Sequence, residues 1–418
     1  MRVLWFEISI PYRYLNFANP RNGWQDSLEN LLRKRTGIEL GIAFENNRQE
    51  RKVIDDVVYY SLPSPHSTIW NFRPAKYWQT KAKRMLSLAI EVIRDFKPDI
   101  IHIFGSEWYW GLISKHTSIP VVIHMQGSIP PYFNSRLPPQ YSDKDCFWHY
   151  KFNPRKLISI YSSIQRMKSR SDMEKQILAG VNYYMGRTAW DYNIVNLYNS
   201  KAKYYYCSEA LREDFVQTSK YWEQKNRKKL ILFTIGFDFR KGADSILKTA
   251  KLLKEKGVPF EWNVAGEIPI YVKKIIEKKE KIKYSDYNVN LLGVQSSTKI
   301  VDLLLDCDIY IHPAYLENSP NSICEAQYLG VPVIATFVGG VPSLIEHGKN
   351  GILVPTNEPH TLAATIIKLK NDKTLRLSLS ENAKNTAKQR HNGTKIITDL
   401  INCYTKVIED YGRIGDNR

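Results

Sequence analysis

Residues 309–335 read IYIHPAYLENSPNSICEAQYLGVPVIA, and this stretch decides the fold prediction. A short strand-like run ends at His312, a polar loop follows, and Pro320 opens a helical pattern that Gly330 ends. Serine is a favoured N-cap, proline fits the first helical position, and glycine commonly terminates a helix. The predicted elements are a strand at 309–312, a helix at 320–329 with Ser319 as its N-cap, and a strand at 333–335. A strand, a helix and a strand in this order form one unit of a parallel sheet.

The same alternation runs through the whole chain and predicts an α/β fold with two domains. Helical patterns separate nearly all the apolar runs, which is typical of doubly wound parallel sheets. At 418 residues the chain is also too long for one ordinary core. The predicted strands are 3–8, 39–44, 100–103, 121–124, 181–185 and 203–207 in the first half, and 230–235, 260–265, 289–292, 309–312, 333–335 and 352–354 in the second half.

A polar run, SKYWEQKNRKK at residues 219–229, separates the two patterns. The predicted domains are a first Rossmann-like domain at 1–215, a second at 216–395, and a C-terminal helical segment at 396–418 that could pack back on the first domain. In open α/β sheets, ligands bind beyond the carboxyl ends of the strands. We therefore expect a site in a cleft between two facing domains. Residues 129–170 form an interruption in the first domain that is longer than an ordinary loop, which favours a functional role or a helix of its own.

The charge of the chain is its most informative bulk property. Lys and Arg number 60 against 42 Asp and Glu, a net charge of +18. Such an excess favours anionic partners such as nucleic acid, phosphate-bearing substrates or an acidic membrane surface, although a solvated basic surface gives the same sum. Five scattered cysteines without a CxxC pair, and an N-terminus unlike a secretory signal, predict reduced thiols and a cytoplasmic location.

Two glutamates lie eight residues apart around the predicted helix start. Glu317 falls on the loop at the carboxyl end of a strand, and Glu325 falls on the helix. The backbone N–H groups of Asn321 and Ser322 lie in the first helical turn, where a phosphate is favoured. Glu325 could then accept hydrogen bonds from ribose hydroxyls, and Glu317 could reach a sugar beyond the phosphates. Two glutamates at this spacing are, by themselves, more often surface residues.

Another strand exit in the second domain supplies cations for such a site. Arg240 and Lys241 follow the first strand of this domain and precede a helix, so they could stabilise the charge on a departing diphosphate. Gly339 and Gly340 follow a later strand and permit a close backbone approach or an unusual turn. Each motif alone commonly forms an ordinary turn. Their occurrence at corresponding strand exits of one domain favours a nucleotide-sugar site.

These motifs, in this order, resemble the donor-binding core of the family 4 retaining glycosyltransferases, which have the GT-B fold of two Rossmann-like domains facing a central cleft. The E-x7-E motif of that family is matched by Glu317 and Glu325, and its A-x-x-x-G-x-P-V-I-A segment by residues 326–335. The next segment, G-G-x-P-E-L-I, is matched except that Ser343 replaces the glutamate. The resemblance covers about residues 230–410 and includes RKG at 240–242, AGE at 265–267 and LGV at 292–294.

The first domain resembles the family more loosely. KPDIIH at residues 97–102 is similar to the PDIIH strand of the family, and residues 121–127 are similar to its next strand. The tripeptide Asn22-Gly23-Trp24 stands where members carry a glycine-rich loop near the donor phosphates, with Trp24 in place of the usual second glycine. Gln126 replaces the histidine that commonly precedes Gly127, and His124 lies two positions earlier on the same face of the strand.

The resemblance implies a retaining, metal-independent transfer of a hexose-type sugar from a nucleotide-diphosphate donor, without a cofactor. It places Lys241 and the helix N–H groups at the leaving diphosphate, and we predict Glu317, Lys241 and Arg240 as the catalytic residues. The arginine that members often carry before the RKG turn is replaced by Gly236 or Phe237, so either Arg240 takes its place or only Lys241 contacts the phosphate. The donor contacts that the resemblance implies, or that the helix pattern adds, are Glu325, Asn321, Ser322, Gly23, Gly266 and Gln126. A glycan or lipid-linked oligosaccharide acceptor of surface polysaccharide biosynthesis fits both the family and the charge.

Two basic helical patterns of the first domain, residues 74–94 and 155–175, could form a rim for an anionic bilayer on the inner face of the cell membrane. Ordinary domain helices with solvated lysines explain them equally. Two alternative functions remain open, a nucleotide-sugar epimerase of similar two-lobed fold and a basic nucleic-acid-binding protein. An epimerase does not usually carry this E-x7-E context. No helix-turn-helix, zinc or RNA-binding signature occurs, so we expect no nucleic-acid partner.

Overall fold

The computed structural model describes residues 1–15, 23–35, 37–64 and 74–416, and their contacts divide the chain into two compact units. The first unit contains the described residues of Met1–Phe133, Phe152–Ala210 and Asn392–Arg418, and the second contains Asn134–Lys151 and Leu211–His391. The chain therefore leaves the first unit twice and returns to it twice. Residues 134–151, which the sequence analysis assigned to the first domain, group with the second unit, and the last helix groups with the first.

The strands of the described ranges form one sheet in each unit. In chain order they are β1 (Arg2–Glu7), β2 (Glu39–Asn46), β3 (Glu50–Ile54), β4 (Val57–Pro63), β5 (Ile100–Phe104), β6 (Val121–His124), β7 (Tyr183–Gly186), β8 (Lys203–Tyr206), β9 (Leu230–Ile235), β10 (Phe260–Ala265), β11 (Val289–Gly293), β12 (Ile309–His312), β13 (Val333–Thr336) and β14 (Ile352–Val354). All twelve predicted strands are present, with ends that differ by two residues at most.

Helices connect most of these strands, and three short 3-10 helices lie at Tyr109–Lys115, Tyr284–Tyr287 and Val341–Ser343. The α-helices are α1 (Trp24–Leu32), α2 (Pro74–Phe96), α3 (Ile129–Asn134), α4 (Asp143–His149), α5 (Pro154–Gly180), α6 (Ala189–Tyr198), α7 (Glu213–Val216), α8 (Ala243–Glu255), α9 (Ile270–Glu280), α10 (Ser297–Asp306), α11 (Asn321–Tyr328), α12 (Pro359–Asn371), α13 (Lys373–Arg390) and α14 (Gly393–Asp416). Among the described residues, no helix is long and apolar enough to cross a membrane.

The first unit has an eight-stranded sheet in the order β3-β4-β2-β1-β5-β6-β7-β8, in which only β3 runs antiparallel to its neighbour. Strand β1 lies inside this sheet, and its residues Val3 to Phe6 are fully buried. Leu4 and Phe6 belong to the core on one face, whereas Val3 and Trp5 belong to the core on the other. This two-sided burial explains why a parallel strand reads as an unbroken apolar run.

The last helix, α14, completes one of these two cores. Its residues Ile396, Leu400, Tyr404 and Val407 are buried at helical spacing beside Trp5. The Trp5 indole Nε1 donates a hydrogen bond to the Tyr404 hydroxyl at 3.0 Å. A segment 399 positions away in the sequence thus covers one face of the first strand.

The second unit has a six-stranded parallel sheet in the order β11-β10-β9-β12-β13-β14. Chain order runs outward in one direction from β9 and in the other direction from β12, so the strand order reverses between these two neighbours. In open α/β sheets a ligand binds outside the carboxyl ends of the strands at such a reversal. The loops after β9 and β12 are therefore where a site is expected in this unit.

Residues 134–151 pack on the second unit through α4. The Lys279 Nζ lies 3.1 Å from a carboxylate oxygen of Asp145, and the Tyr141 hydroxyl donates to Glu280 at 2.9 Å. The Tyr141 and Phe239 rings lie 5.1 Å apart. Part of the long interruption predicted at 129–170 is therefore a structured attachment to helix α9.

Candidate active site

The loop after β9 is held against the loop after β12 by a glycine. Gly242 caps the start of α8 with a φ of +77°, and a Cβ at this position would lie 2.0 Å from the Pro313 carbonyl oxygen. A side chain would therefore clash with backbone as well as strain the left-handed conformation. The Tyr315 amide also donates to the Arg240 carbonyl at 2.8 Å. These contacts fix the positions of Arg240 and Lys241.

Arg240 and Lys241 converge on Glu317 from the neighbouring loop. The Arg240 Nη1 lies 2.8 Å and the Lys241 Nζ 2.7 Å from the same oxygen, Oε1 of Glu317. Glu317 is 7% exposed, whereas about a quarter of each cationic side chain is exposed. We call these three residues the ion cluster. The structure thus brings together the three residues predicted as catalytic.

The ion cluster carries a net positive charge at neutral pH. Burial raises the pKa of the Glu317 carboxyl, but Lys241 and Arg240 outweigh this effect and lower that pKa to about 2. His312, at the end of β12, is buried, and its burial lowers the pKa of the imidazole to about 3. Glu317 is therefore ionised and His312 neutral, so two cations face one carboxylate. The excess charge suits a diphosphate.

The glycine pair after β13, Gly339 and Gly340, packs against the backbone of Glu317. Gly339 has a φ of +50°, and a Cβ there would lie 2.0 Å from the Glu317 carbonyl oxygen. The Gly340 amide donates to the same carbonyl at 2.9 Å. The sequence predicted a close backbone approach at these glycines, and the structure shows one between the glycine pair and the backbone of Glu317.

Glycines also end three neighbouring strands at the carboxyl edge of the sheet. Gly236, Gly266 and Gly293 follow or end β9, β10 and β11, with φ values of +102°, +121° and +71°. Their backbones are linked, since the Gly236 amide donates to the Ala265 carbonyl and the Gly266 amide to the Gly293 carbonyl, both at 2.8 Å. This edge therefore presents backbone without side chains beside Lys241, and it includes the predicted contact Gly266.

Helix α11 begins one residue later than the sequence analysis predicted. Pro320, with a ψ of 115°, is the N-cap, and the first helical residue is Asn321. The prediction of Ser319 as N-cap is wrong, because Pro320 adopts extended backbone and Ser319 is buried in the preceding loop. The amides of Asn321 and Ser322 still lie in the first turn, where intrahelical carbonyls cannot reach them.

Glu325 is paired with an arginine that the sequence analysis missed. The Arg212 Nε donates to Glu325 Oε1 at 2.7 Å and its Nη2 to Oε2 at 2.8 Å. Glu325 is 2% exposed, so this two-pronged pair holds a buried carboxylate in one orientation. The two residues are 113 positions apart, and Arg212 carries no motif that could have indicated the pairing.

The predicted donor contacts Gly23 and Gln126 lie in the first unit. Gly23 precedes α1, and its amide donates to the Asp26 carboxylate at 2.8 Å; Asn22 lies outside the described residues. Gln126 is half-buried after β6. His124 stacks on His102 and meets the Trp24 ring edge-on in the core, and burial lowers the pKa of its imidazole far below the usual value. His124 is therefore a core residue and cannot replace a ligand-facing histidine.

Two carboxyl groups near Gln126, the half-buried Glu107 and the buried Glu174, were not predicted from the sequence. Glu107 follows β5, and its carboxylate occupies the space where a Cβ on Gly105 or Gly127 would lie. Glu174 on α5 accepts hydrogen bonds from the Ser106 hydroxyl and the Ile129 amide, each at 2.6 Å. Burial and the nearby Glu107 raise the pKa of Glu174 to about 8. A carboxyl pair of this kind holds a proton near neutral pH.

Comparison with known proteins supports the resemblance. Residues 216–386, which include the whole ion cluster and helix α11, match the model described as Glycosyl transferases group 1. This part of the chain is therefore similar to family 4 of the glycosyltransferases. The predicted resemblance is therefore confirmed. Arg212 lies just outside the matched residues.

Curated relatives match the chain over different lengths. A putative colanic acid biosynthesis glycosyltransferase of Salmonella typhimurium is 29% identical over 133 residues, 30% of this chain and 32% of the relative. The match thus spans about a third of that relative. A glycosyltransferase of Methanocaldococcus jannaschii is 24% identical over 371 residues, 87% of this chain and 88% of the relative.

Solved structures confirm the predicted GT-B fold with two Rossmann-like domains. Sucrose-phosphate synthase from Thermosynechococcus elongatus aligns with a TM-score of 0.72 at 14% identity, covering 98% of this chain and 99% of that one. The Anabaena protein HepE in complex with UDP-glucose aligns with a TM-score of 0.63 at 13% identity, covering 97% of this chain and 100% of that one.

Proposed function

We propose that this protein is a retaining, metal-independent glycosyltransferase that moves a hexose-type sugar from a nucleotide-diphosphate donor to a glycan or lipid-linked oligosaccharide acceptor. The ion cluster of Glu317, Arg240 and Lys241 carries the proposal. It lies at the point where the strand order reverses, and the two loops that form it flank a side-chain-free sheet edge. The colanic acid relative supports a role in surface polysaccharide biosynthesis.

The cations of the ion cluster stabilise the leaving group of the proposed reaction. As the bond between sugar and phosphate breaks, negative charge develops on the leaving diphosphate, and preorganised cations stabilise this charge without reorganisation. Lys241 and Arg240 are fixed before the donor arrives, because Glu317 orients both. The amides of Asn321 and Ser322 add the positive end of α11. The acceptor hydroxyl attacks on the same face and passes its proton to the departing phosphate oxygen.

Recognition of the nucleoside is assigned to Glu325. Its carboxylate accepts two hydrogen bonds from Arg212, which hold it in one orientation for contact with vicinal ribose hydroxyls. The HepE complex with UDP-glucose makes a uridine donor the first choice for testing. Glu317 is assigned to a sugar hydroxyl, next to the cations that hold the diphosphate.

Thermal shift with a nucleotide panel tests the class of function. We expect UDP or GDP to raise the melting temperature, and oligonucleotides to produce no salt-dependent shift. A shift with oligonucleotides alone would favour the alternative of a nucleic-acid-binding protein. Mass spectrometry after incubation with UDP-glucose distinguishes the remaining alternative. Transfer or slow hydrolysis releases UDP, whereas an epimerase returns an isomeric nucleotide sugar of unchanged mass.

Two substitutions separate donor binding from turnover. Lys241→Ala should lower kcat about 10²- to 10³-fold with a smaller effect on nucleotide affinity, because its charge acts mainly on the developing leaving group. Full activity would remove Lys241 from the phosphate site. Glu325→Ala should weaken nucleotide binding, and unchanged affinity would contradict its ribose role. The control is Lys251→Ala, which changes a side chain that is 45% exposed on α8, the helix that follows the loop of Lys241.

A peripheral position on the cytoplasmic face of the membrane is part of the proposal. Apolar side chains are exposed at Phe152 (89%), two residues before α5, and at Ile158 and Tyr161 in its first turns. They lie next to the exposed Arg155 and Lys156. Apolar and cationic side chains together suit an anionic bilayer surface. Flotation with anionic vesicles should show binding that high salt weakens, and Phe152→Ser should reduce it. Absence of binding at low salt would exclude this part of the proposal.

The second helix of the predicted rim does not contribute an apolar surface. Trp78, Met85, Ala89 and Val92 of α2 are buried in the core of the first unit. The apolar face seen in the sequence is therefore a packing face, and the expectation of a membrane rim at 74–94 is wrong for these side chains.

A further inference from the structure

The second unit contains a basic cavity at the opposite edge of its sheet from the ion cluster. The cavity has a volume of about 300 Å³. Its lining residues are Lys225, Asn226, Arg227, Lys228, Leu230, Asp308, Lys370, Lys373 and Arg376. Leu230 begins β9 and Asp308 immediately precedes β12, so the cavity lies at the amino ends of these strands. Strand β9 alone spans about 20 Å at ~3.3 Å per residue, which separates this basic cavity from the donor site.

Six cations line the basic cavity against one carboxylate. Asp308 is 4% exposed, and its Oδ2 already accepts a hydrogen bond from the Ile231 amide at 2.8 Å. Asp306, beside the cavity, lies 3.0 Å from the Lys225 Nζ and 3.1 Å from an Arg227 nitrogen. Two carboxylates therefore compensate only part of the positive charge.

Three lysines of the cavity have no such compensation. In the part of the chain that the structure describes, Lys228, Lys370 and Lys373 have no carboxylate within ion-pairing distance. Lys370 is half-buried, which reduces the screening of its charge by water. Cations held close together without counter-charges repel one another, and a concave surface concentrates their field. Such a cavity attracts an anion.

Arg376 provides a buried floor for the cavity. It is 4% exposed, and its Nη1 donates to the Lys370 carbonyl at 2.7 Å and to the Leu369 carbonyl. Its Nε is buried, and no acceptor for it occurs among the described residues. Burial lowers the pKa of this guanidinium, although Asp308 and Asp372 act in the opposite direction. A buried cation with an unused donor is a costly arrangement that a bound anion relieves.

We propose that the basic cavity is an accessory binding site for a phosphate-bearing anion, separate from the donor site. Phosphate oxygens match clustered Lys and Arg donors, and a doubly charged group compensates the lysines that lack partners. The phosphate belongs either to a small soluble molecule such as pyrophosphate or to the headgroup of an anionic lipid. The proposal stands independently of the proposed transfer activity.

Calorimetric titration with pyrophosphate tests the soluble source. The triple variant Lys228→Ala, Lys370→Ala, Lys373→Ala should lose one binding event, with the Kd of that event raised at least about tenfold. The matched control changes three exposed lysines of the same unit outside the cavity, Lys256→Ala, Lys278→Ala and Lys299→Ala, and removes the same net charge. The control should bind like the parent. Both variants should retain the melting temperature of the parent.

The lipid source is tested with phosphatidylcholine vesicles with and without phosphatidic acid. Selective loss of vesicle binding in the cavity variant, without a change in pyrophosphate binding, assigns the site to a lipid headgroup. Equal behaviour of the cavity and control variants toward both probes overturns the proposal. Lys241→Ala protein separates this test from the donor site, because it should keep the cavity event. If the cavity variant lowers pyrophosphate binding while Lys241→Ala keeps full transfer activity, the donor-site assignment fails and the cavity stands.

Discussion

Glu317→Gln gives the sharpest test of the ion cluster. The carboxylate of Glu317 holds Arg240 and Lys241 at 2.8 and 2.7 Å, so it competes with a diphosphate for both cations. Gln keeps the shape of the side chain and removes its charge. We therefore expect the variant to bind nucleoside diphosphates more tightly than the parent, while transfer becomes slower because the sugar loses its carboxylate partner.

The structure sets the size of this effect. The ion cluster lowers the pKa of Glu317 from 4.5 to about 2, and at ~1.36 kcal/mol per pH unit this difference is on the order of 3 kcal/mol. If all of this free energy became available to the diphosphate, the affinity would rise on the order of 100-fold. The Gln amide oxygen still accepts hydrogen bonds from the cations, so a gain of about tenfold is expected.

Calorimetry with UDP and GDP at neutral pH measures the gain. The control is Glu358→Gln, which removes a carboxylate of the same unit whose pKa is also lowered to about 2, there chiefly by a hydrogen bond from Thr361. The control should leave nucleotide affinity unchanged. Weaker or unchanged binding of UDP and GDP by Glu317→Gln would refute the competition between carboxylate and diphosphate.

Three further predictions follow from buried groups. Arg212→Ala removes two hydrogen bonds from the Glu325 carboxylate, which is 2% exposed, so urea denaturation should show a free energy of unfolding lower by about 3–5 kcal/mol, and nucleotide affinity should fall. The double variant Arg212→Met with Glu325→Gln should regain most of the stability. An Arg212→Ala variant as stable as the parent would contradict the role of Arg212 in holding Glu325. Glu174 has its pKa raised to about 8 in the folded state, so the native state holds a proton that the unfolded state releases, and stability falls as pH rises from about 4.5 to about 8. In the Glu174→Gln variant this fall of melting temperature with pH should be absent. Parallel curves of melting temperature against pH for variant and parent would contradict the raised pKa of Glu174. Gly242→Ala should cost roughly 3 kcal/mol or more because its Cβ would meet a backbone carbonyl, whereas Gly257→Ala, at φ +64° in open space, should cost about 1 kcal/mol in the same melts.

The second unit was predictable from the sequence because local signals agreed with one another. Strands β9, β10, β12 and β14 have the predicted bounds, since each is an apolar run followed by a loop and a helix. Gly330 ends its helix with a φ of +80°, as its position indicated. The ion cluster was predictable because residues at neighbouring strand exits meet at one edge of a parallel sheet.

The hairpin of β3 and β4 was not predicted. Its turn is made by Asp55 and Asp56, which adopt φ values of +46° and +67° without the glycine that usually marks such a turn. Strand β3 lies at the sheet edge with mostly exposed side chains, so it lacks the apolar run used to find the others.

Pairs of residues that are far apart in the sequence could not be predicted from it either. The pairing of Arg212 with Glu325 depends on how α7 and α11 meet in the folded unit, and no spacing rule encodes it. The carboxyl pair of Glu107 and Glu174 joins a strand end to a helix in the same way. Such contacts follow from tertiary packing, whereas the motifs follow from local geometry.

The return of α14 to the first unit imposes an order on folding during synthesis. Trp5 emerges from the ribosome early, but the Tyr404 hydroxyl that accepts its indole hydrogen bond is made only near the end of the chain. The second unit draws its residues from 134–151 and 211–391, so all of them are available earlier. Because domains fold as units once their residues are available, the unit that begins second in the sequence can finish folding first. A chain truncated before residue 393 and released from the ribosome should therefore show protease resistance in the second unit. The apolar sheet face that α14 covers in the first unit would stay exposed in this truncated chain and would bind chaperones.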